Sequence, residues 1–77
     1  MSRSLHTPAH HRLRAVLIDA RAEANLTQIE VAKKLKKPQS FVSKYENGER
    51  NLDVLEFAAV CRALGISACD VLKQLQA

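Results

Sequence analysis

The sequence predicts an all-α domain of five short helices. Three observations carry that expectation. Apolar residues recur at helical spacing through most of the chain, and no run alternates as a strand would. The only glycines are Gly48 and Gly65, and past Pro8 the only proline is Pro38, so the breakers fall between the apolar repeats.

Residues 1–9 lack periodicity and contain Pro8, which reads as a flexible tail ahead of a domain over residues 10–77. The first helix is expected from about His10 to Ala24. Leu13, Leu17 and Ala20 repeat along one face, with Val16 beside them. Asn25 ends it, because asparagine tolerates the left-handed cap position. The second helix starts at Thr27, where Thr27-Gln28-Ile29-Glu30 has the form of a capping box. Val31, Ala32 and Leu35 form its inner face. A third helix is expected from Gln39 to Asn47, with Val42 and Tyr45 inward and Gly48 as its stop. The fourth runs from Leu52 or Asp53 to Leu64, capped by Asn51 or Asp53 and ended by Gly65. The fifth follows Ser67 with Asp70 in its first turn, anchored by Leu72 and Leu75.

A chain of 77 residues makes one domain and buries a modest core. No apolar run approaches a membrane span, and no hydrophobic stretch follows the basic N-terminal residues, so a secretory signal is not expected. Cys61 and Cys69 stand eight apart, which matches neither a metal nor a redox spacing. Cys61 shares a helical face with Phe57, Val60 and Leu64 and reads as a small core hydrophobe. Together these features suggest a reduced, soluble, cytoplasmic protein. His6, His10 and His11 have no supporting cysteine or carboxylate, so no metal or other cofactor is expected. No paired carboxylates or Ser/His/Asp set suggests catalysis.

The net charge is +4 and unevenly placed. Residues 1–50 hold ten Lys/Arg against five Asp/Glu, and residues 51–77 hold two against three. A basic first half suits a polyanion, although a solvated face would look the same.

The second and third helices are about two turns each, with a few residues between them. This is the helix-turn-helix arrangement, whose second helix enters the major groove. The outward positions of the third helix are Gln39, Ser40, Ser43 and Lys44, and residues 38–45 contain no acid. Hydrogen-bonding side chains suit a surface where bases are told apart by donor and acceptor pattern.

With Leu26-Thr27-Gln28, Val31-Ala32, the run Gln39-Ser40-Phe41-Val42-Ser43-Lys44-Tyr45-Glu46-Asn47-Gly48, and Ala63-Leu64-Gly65-Ile66, the chain resembles the lambda-repressor-like Cro/XRE family of helix-turn-helix regulators. The resemblance spans roughly residues 10–76. It implies that Gln28 contacts a DNA phosphate and that Gln39 reads a base or supports that reading. It implies groove-facing roles for Ser40, Ser43 and Lys44, and a grip on the backbone by Asn47 and Arg50. It also implies an ion pair between Arg21 and Glu46. Two positions depart from the family pattern: Asn25 and Lys36 stand where glycine is frequent. A left-handed Lys36 would be strained, or the turn differs.

Phe41 is open between two placements. It covers the seam between the second and third helices, or it touches a thymine methyl. His11, Arg12 and the tail residue Arg3 are further cations within plausible reach of DNA.

The expected function is a sequence-specific transcriptional regulator that binds double-stranded DNA. The absence of a following sensor domain points to a compact repressor, an antitoxin with a protein partner, or a restriction–modification controller. The fifth helix and the end of the fourth carry Ile66, Ala68, Val71, Leu72 and Leu75, more apolar positions than one core face needs. That surplus predicts a homodimer through the C-terminal helix, bound to an inverted repeat. The alternative is a protein-interaction module that keeps the fold without specific DNA binding. RNA binding is disfavoured by the scarcity of aromatics, which are Phe41, Tyr45 and Phe57.

Overall fold

The computed structural model describes residues 7–76. Five helices follow one another: α1 (Pro8–Glu23), α2 (Gln28–Leu35), α3 (Gln39–Glu46), α4 (Val54–Leu64) and α5 (Ala68–Gln76). Among the described residues no strand occurs.

Every helix except α3 starts where a side chain takes up a free backbone N–H group. α1 begins two residues earlier than its apolar pattern suggests. The Thr7 hydroxyl accepts from the His10 N–H at 3.2 Å, and Pro8 occupies the first turn, where its missing N–H costs nothing. Residues 7–9 therefore belong to the cap and first turn of α1 rather than to a tail. The other tail positions, with Arg3 and His6, lie outside the described residues. α2 opens with a complete capping box: Glu30 N–H donates to the Thr27 hydroxyl at 3.1 Å, and Thr27 N–H donates to Glu30 Oε1 at 2.8 Å. Asp53 and Glu56 form the same box at the start of α4. Pro38 precedes α3 with no side-chain cap bond.

The stops are left-handed residues. Asn25 lies at φ 58 and Lys36 at φ 59, so both departures from glycine keep the backbone that glycine would give. The Lys36 turn is closed by Lys37 N–H donating to the Ala32 carbonyl at 3.0 Å. That bond reorients the chain from α2 into α3 within three residues. Gly48, at φ 80, is buried beneath Arg14, whose Cζ would lie 3.1 Å from an added Cβ. Here the left-handed backbone favours glycine, and an added Cβ would also press on the Arg14 guanidinium.

All five helices contribute to one core, including Leu17, Val31, Val42, Val60, Cys61 and Val71, each at 2% exposure or less. Tyr45 is buried too, and burial pushes its phenol pKa well above the ordinary range. It lines a cavity of about 20 Å³ together with His10, Arg14 and Asn51, room for a single water. Cys61 and Cys69 are both free thiols, the first buried and the second exposed.

The apolar surplus of α5 is smaller than its sequence suggests. Val71 is in the core, and Ile66, Ala68 and Leu75 pack against it. Of the five residues expected to be in surplus, only Leu72 is largely exposed, at 46%. It borders a shallow groove of about 140 Å³ whose other wall is the start of α4, where Val54 is 80% exposed.

Lys36→Gly removes the Cβ from a left-handed position and should stabilise the fold by about 0.5–1 kcal/mol, the strain relieved less the added freedom of the unfolded chain. Urea denaturation checks this. A lower midpoint for the variant would show that the Lys36 side chain stabilises more than its backbone costs.

Candidate nucleic-acid interface

α3 is divided along its length. Phe41, Val42 and Tyr45 are buried, whereas Gln39, Ser40, Lys44 and Asn47 are exposed and Ser43 is half-buried. At 100° per residue the second group spans an arc of about 140°. The arc carries amide, hydroxyl and ammonium groups and no carboxylate.

The orientation of that face is set from behind. Arg21 on α1 meets Glu46 at the end of α3 with two bonds, Nε to Oε2 at 2.7 Å and Nη2 to Oε1 at 3.0 Å. Nη1 donates to the Leu26 carbonyl at 3.1 Å in the loop before α2. The Glu46 side chain is only 6% exposed. Its hydrogen bond holds the Arg21 guanidinium pKa above the ordinary value, against an opposing effect of burial. Gln28, the first residue of α2, donates from Nε2 to Glu46 Oε1 at 2.8 Å. Its Oε1 accepts from Gln39 Nε2 at 3.2 Å. One continuous chain of bonds thus joins α1, the end of α3, the start of α2 and the start of α3.

One expected interface residue is placed in the core, and another is tied to a neighbouring helix. Phe41 is 8% exposed and belongs to the core. Its ring meets Tyr45 edge-on at 5.7 Å and closes a cleft against Leu35, Leu55 and Ala59. It therefore lies where α2, α3 and α4 meet, in keeping with the seam placement, and is not on the outward arc. Arg50 turns toward α4 as well. Its Nη1 and Nη2 donate to the two Glu56 oxygens at 2.9 and 2.8 Å, and Nη1 also donates to the Asn51 carbonyl at 2.8 Å. Its Cζ lies 4.6 Å from the centre of the Phe41 ring, a cation–π stack. The Arg50 guanidinium is thus tied to Glu56 and stacked on Phe41, with the side chain still 38% exposed.

Glu56 was not among the candidate residues, although Asp53-x-x-Glu56 has a capping-box pattern. It works twice, closing the box on the Asp53 N–H at 3.0 Å and holding Arg50. The Arg50 hydrogen bond, with the Asp53 backbone second, lowers the Glu56 pKa to about 2. Arg14 was missed too; only the fold reveals it over Gly48. Among the described residues, no group of three or more metal-ligating side chains is placed to hold an ion, and no helix is long and apolar enough to cross a membrane.

A short helix, a left-handed turn and a second helix with a polar, acid-free outer arc define a helix-turn-helix domain. Residues 17–71 match the helix-turn-helix family. An XRE-family like protein from Pseudomonas syringae pv. tomato superposes with a TM-score of 0.88 at 44% identity, covering 95% of this chain and 89% of that one. The clp gene regulator ClgR from C. glutamicum gives 0.80 at 30% identity, covering 91% and 90%. The restriction-modification controller protein C.Esp1396I shares the fold, with a TM-score of 0.81 at 21% identity over 92% of each chain. No match is found among curated proteins. The chain belongs to the lambda-repressor-like Cro/XRE family of helix-turn-helix proteins.

Two outcomes test this geometry. Arg21→Ala strands a buried carboxylate and should cost about 2–3 kcal/mol in a chemical melt; an unchanged midpoint would show that Glu46 needs no cation. Glu56, with its folded pKa depressed from 4.5 to about 2, stabilises the fold above pH 4.5, and that contribution is lost as the pH falls toward 2. Stability profiles over that window should therefore fall less steeply for Glu56→Gln than for the wild type. Parallel profiles would remove the Arg50–Glu56 pair from the account of acid sensitivity.

Proposed function

We propose that this protein is a sequence-specific DNA-binding transcriptional regulator that lays α3 in the major groove. The carrying observation is the acid-free outer arc of α3, held at a fixed angle by Val42 and Tyr45 beneath it and by the Arg21–Glu46 pair behind it. In this reading Gln39, Ser40 and Ser43 meet base edges, and Lys44 and Asn47 meet the backbone beside them. Gln28 keeps one amide hydrogen beyond its bond to Glu46. It stands at the start of α2, where free backbone N–H groups favour a phosphate. Arg50, tied to Glu56 but still 38% exposed, keeps its expected grip on the backbone in this reading, and Phe41 stays in the core.

In this reading the protein acts in the cytoplasm as a homodimer on an inverted repeat and catalyses nothing. A single such domain covers too little DNA for high specificity, which favours pairing. The shallow groove between Val54 and Leu72 is the surface on which a second copy would sit. Support for self-association comes from C.Esp1396I, described as a tetramer in complex with its natural 35 base-pair operator. Among the described residues no feature favours an antitoxin's protein partner.

Selection from a randomised duplex DNA pool tests the reading. A twofold-symmetric site should be enriched. Lys44→Ala should weaken binding about equally on all sequences and reduce the salt slope by about 1. Failure of the wild type to enrich any sequence would overturn DNA recognition in favour of a protein-interaction module.

A further inference from the structure

We infer that Glu56, near the start of α4, is a positioning residue for a DNA contact it does not itself make. It holds one edge of the Arg50 guanidinium and so reserves another, the parallel Nε–H and Nη2–H pair, for a single backbone phosphate. The inference rests on the DNA-binding reading and the Arg50 grip proposed above, and adds to them the residue that gives that grip a direction.

A guanidinium has five N–H donors in one plane and in fixed directions. Three are used within the fold. Nη1 gives one hydrogen to Glu56 Oε1 at 2.9 Å and the other to the Asn51 carbonyl at 2.8 Å. Nη2 gives one to Glu56 Oε2 at 2.8 Å. The carboxylate therefore takes the end of the group, where Nη1 and Nη2 point together. Covalent geometry puts the two unused hydrogens, on Nε and Nη2, side by side along one edge. Neither has a partner among the described residues, and the side chain is partly exposed. Two parallel donors match two oxygens of one phosphate, a bidentate arrangement that arginine can make and lysine cannot.

The plane is fixed as well as the edge. Arg50 Cζ lies 4.6 Å from the centre of the Phe41 ring, so an aromatic face supports the guanidinium from one side. Phe41 is buried and cannot follow a moving arginine. Tilt and in-plane rotation are thus both set before DNA arrives. The surrounding charge is nearly balanced. Lys37 Nζ stands 5.5 Å from the same ring, and Lys37 and Asp53 are within electrostatic reach of the Arg50–Glu56 pair. Two cations against two carboxylates attract a polyanion only weakly. What the cluster offers a phosphate is a direction, and Glu56 sets it. Arg50 also follows Asn47, the last residue of the outward arc, by only three positions.

The experiment uses the duplex that the wild type enriches, remade with single methylphosphonate linkages, each of which removes one backbone charge. Affinities are measured for the wild type, Arg50→Ala, Arg50→Lys, Glu56→Gln and Glu56→Asp, each first checked for folding by circular dichroism. Neutralising one phosphate per half-site should weaken the wild type about tenfold, on the scale of one charge-assisted contact, and should leave Arg50→Ala unaffected. Arg50→Lys keeps the charge and loses the fork, so its penalty there should shrink to within about threefold. Glu56→Gln frees the guanidinium to turn, and its penalty should shrink to the same range. If Glu56→Gln does not fold, Glu56→Asp carries the test. It keeps a carboxylate in the first turn of α4 but is one methylene short of the end of Arg50, so the penalty should shrink there too. A role of charge alone would leave Glu56→Asp like the wild type. A folded Glu56→Gln or Glu56→Asp with the wild-type penalty overturns the inference. So does Arg50→Lys with that penalty, or the absence of any phosphate whose effect depends on Arg50. In those cases the enriched site still stands, and DNA recognition with it. A wild type that enriches nothing overturns both.

Discussion

The Glu46 carboxylate, nearly enclosed by protein, cannot stay charged there without donors around it. Arg21 and Gln28 supply three hydrogen bonds, and each arrives from a different place in the fold. α1 must lie against the end of α3 for Arg21 to reach, and α2 must begin beside it for Gln28 to reach. The need to satisfy one charge therefore fixes the mutual placement of the three helices that form the outer face. The apolar core brings these helices together without directional preference. The hydrogen bonds add direction, so α3 has one angle rather than a range of them.

A second assembly does similar work at the other end of α3. Phe41 is a floor on which Arg50 stacks, and Arg50 is held flat by Glu56, which itself caps α4. The α3–α4 loop is thereby tied to both helices it joins. Gly48 lets the chain leave α3 in a left-handed step, and Arg14 closes over it. A face meant to meet another molecule benefits from this arrangement, since ordering is completed at folding rather than at binding.

The local features were legible because they are short-range. Thr27 with Glu30, Asn25 as a left-handed stop, Gly65 and the Ser67 start all act within four residues. The inward set Val42 and Tyr45 followed from helical period alone. Positions decided by the packing of distant helices were not legible. Phe41 could be assigned only once α4 was in place, since Leu55 and Ala59, which line the same cleft, lie more than a dozen residues away. The Arg50–Glu56 pair was not legible either, because nothing local marks Glu56 as more than a cap. The start of α1 was placed late for the opposite reason. Thr7 and Pro8 are a local start signal, but both lie outside the apolar repeat that set the boundary. The contact roles of the outer residues come from the resemblance; spacing by itself marked only which side chains face outward.

The two thiols divide between them the inside and the outside of the molecule. Cys69 stands exposed on α5, while Cys61 is sealed under α4 and burial raises its thiol pKa, so little reactive thiolate forms there. The protein consequently carries a built-in gauge of its own opening. An alkylating reagent counts one cysteine while the core is closed and a second only when α4 lifts away, so the rate of the second modification is a clock for the breathing of the domain.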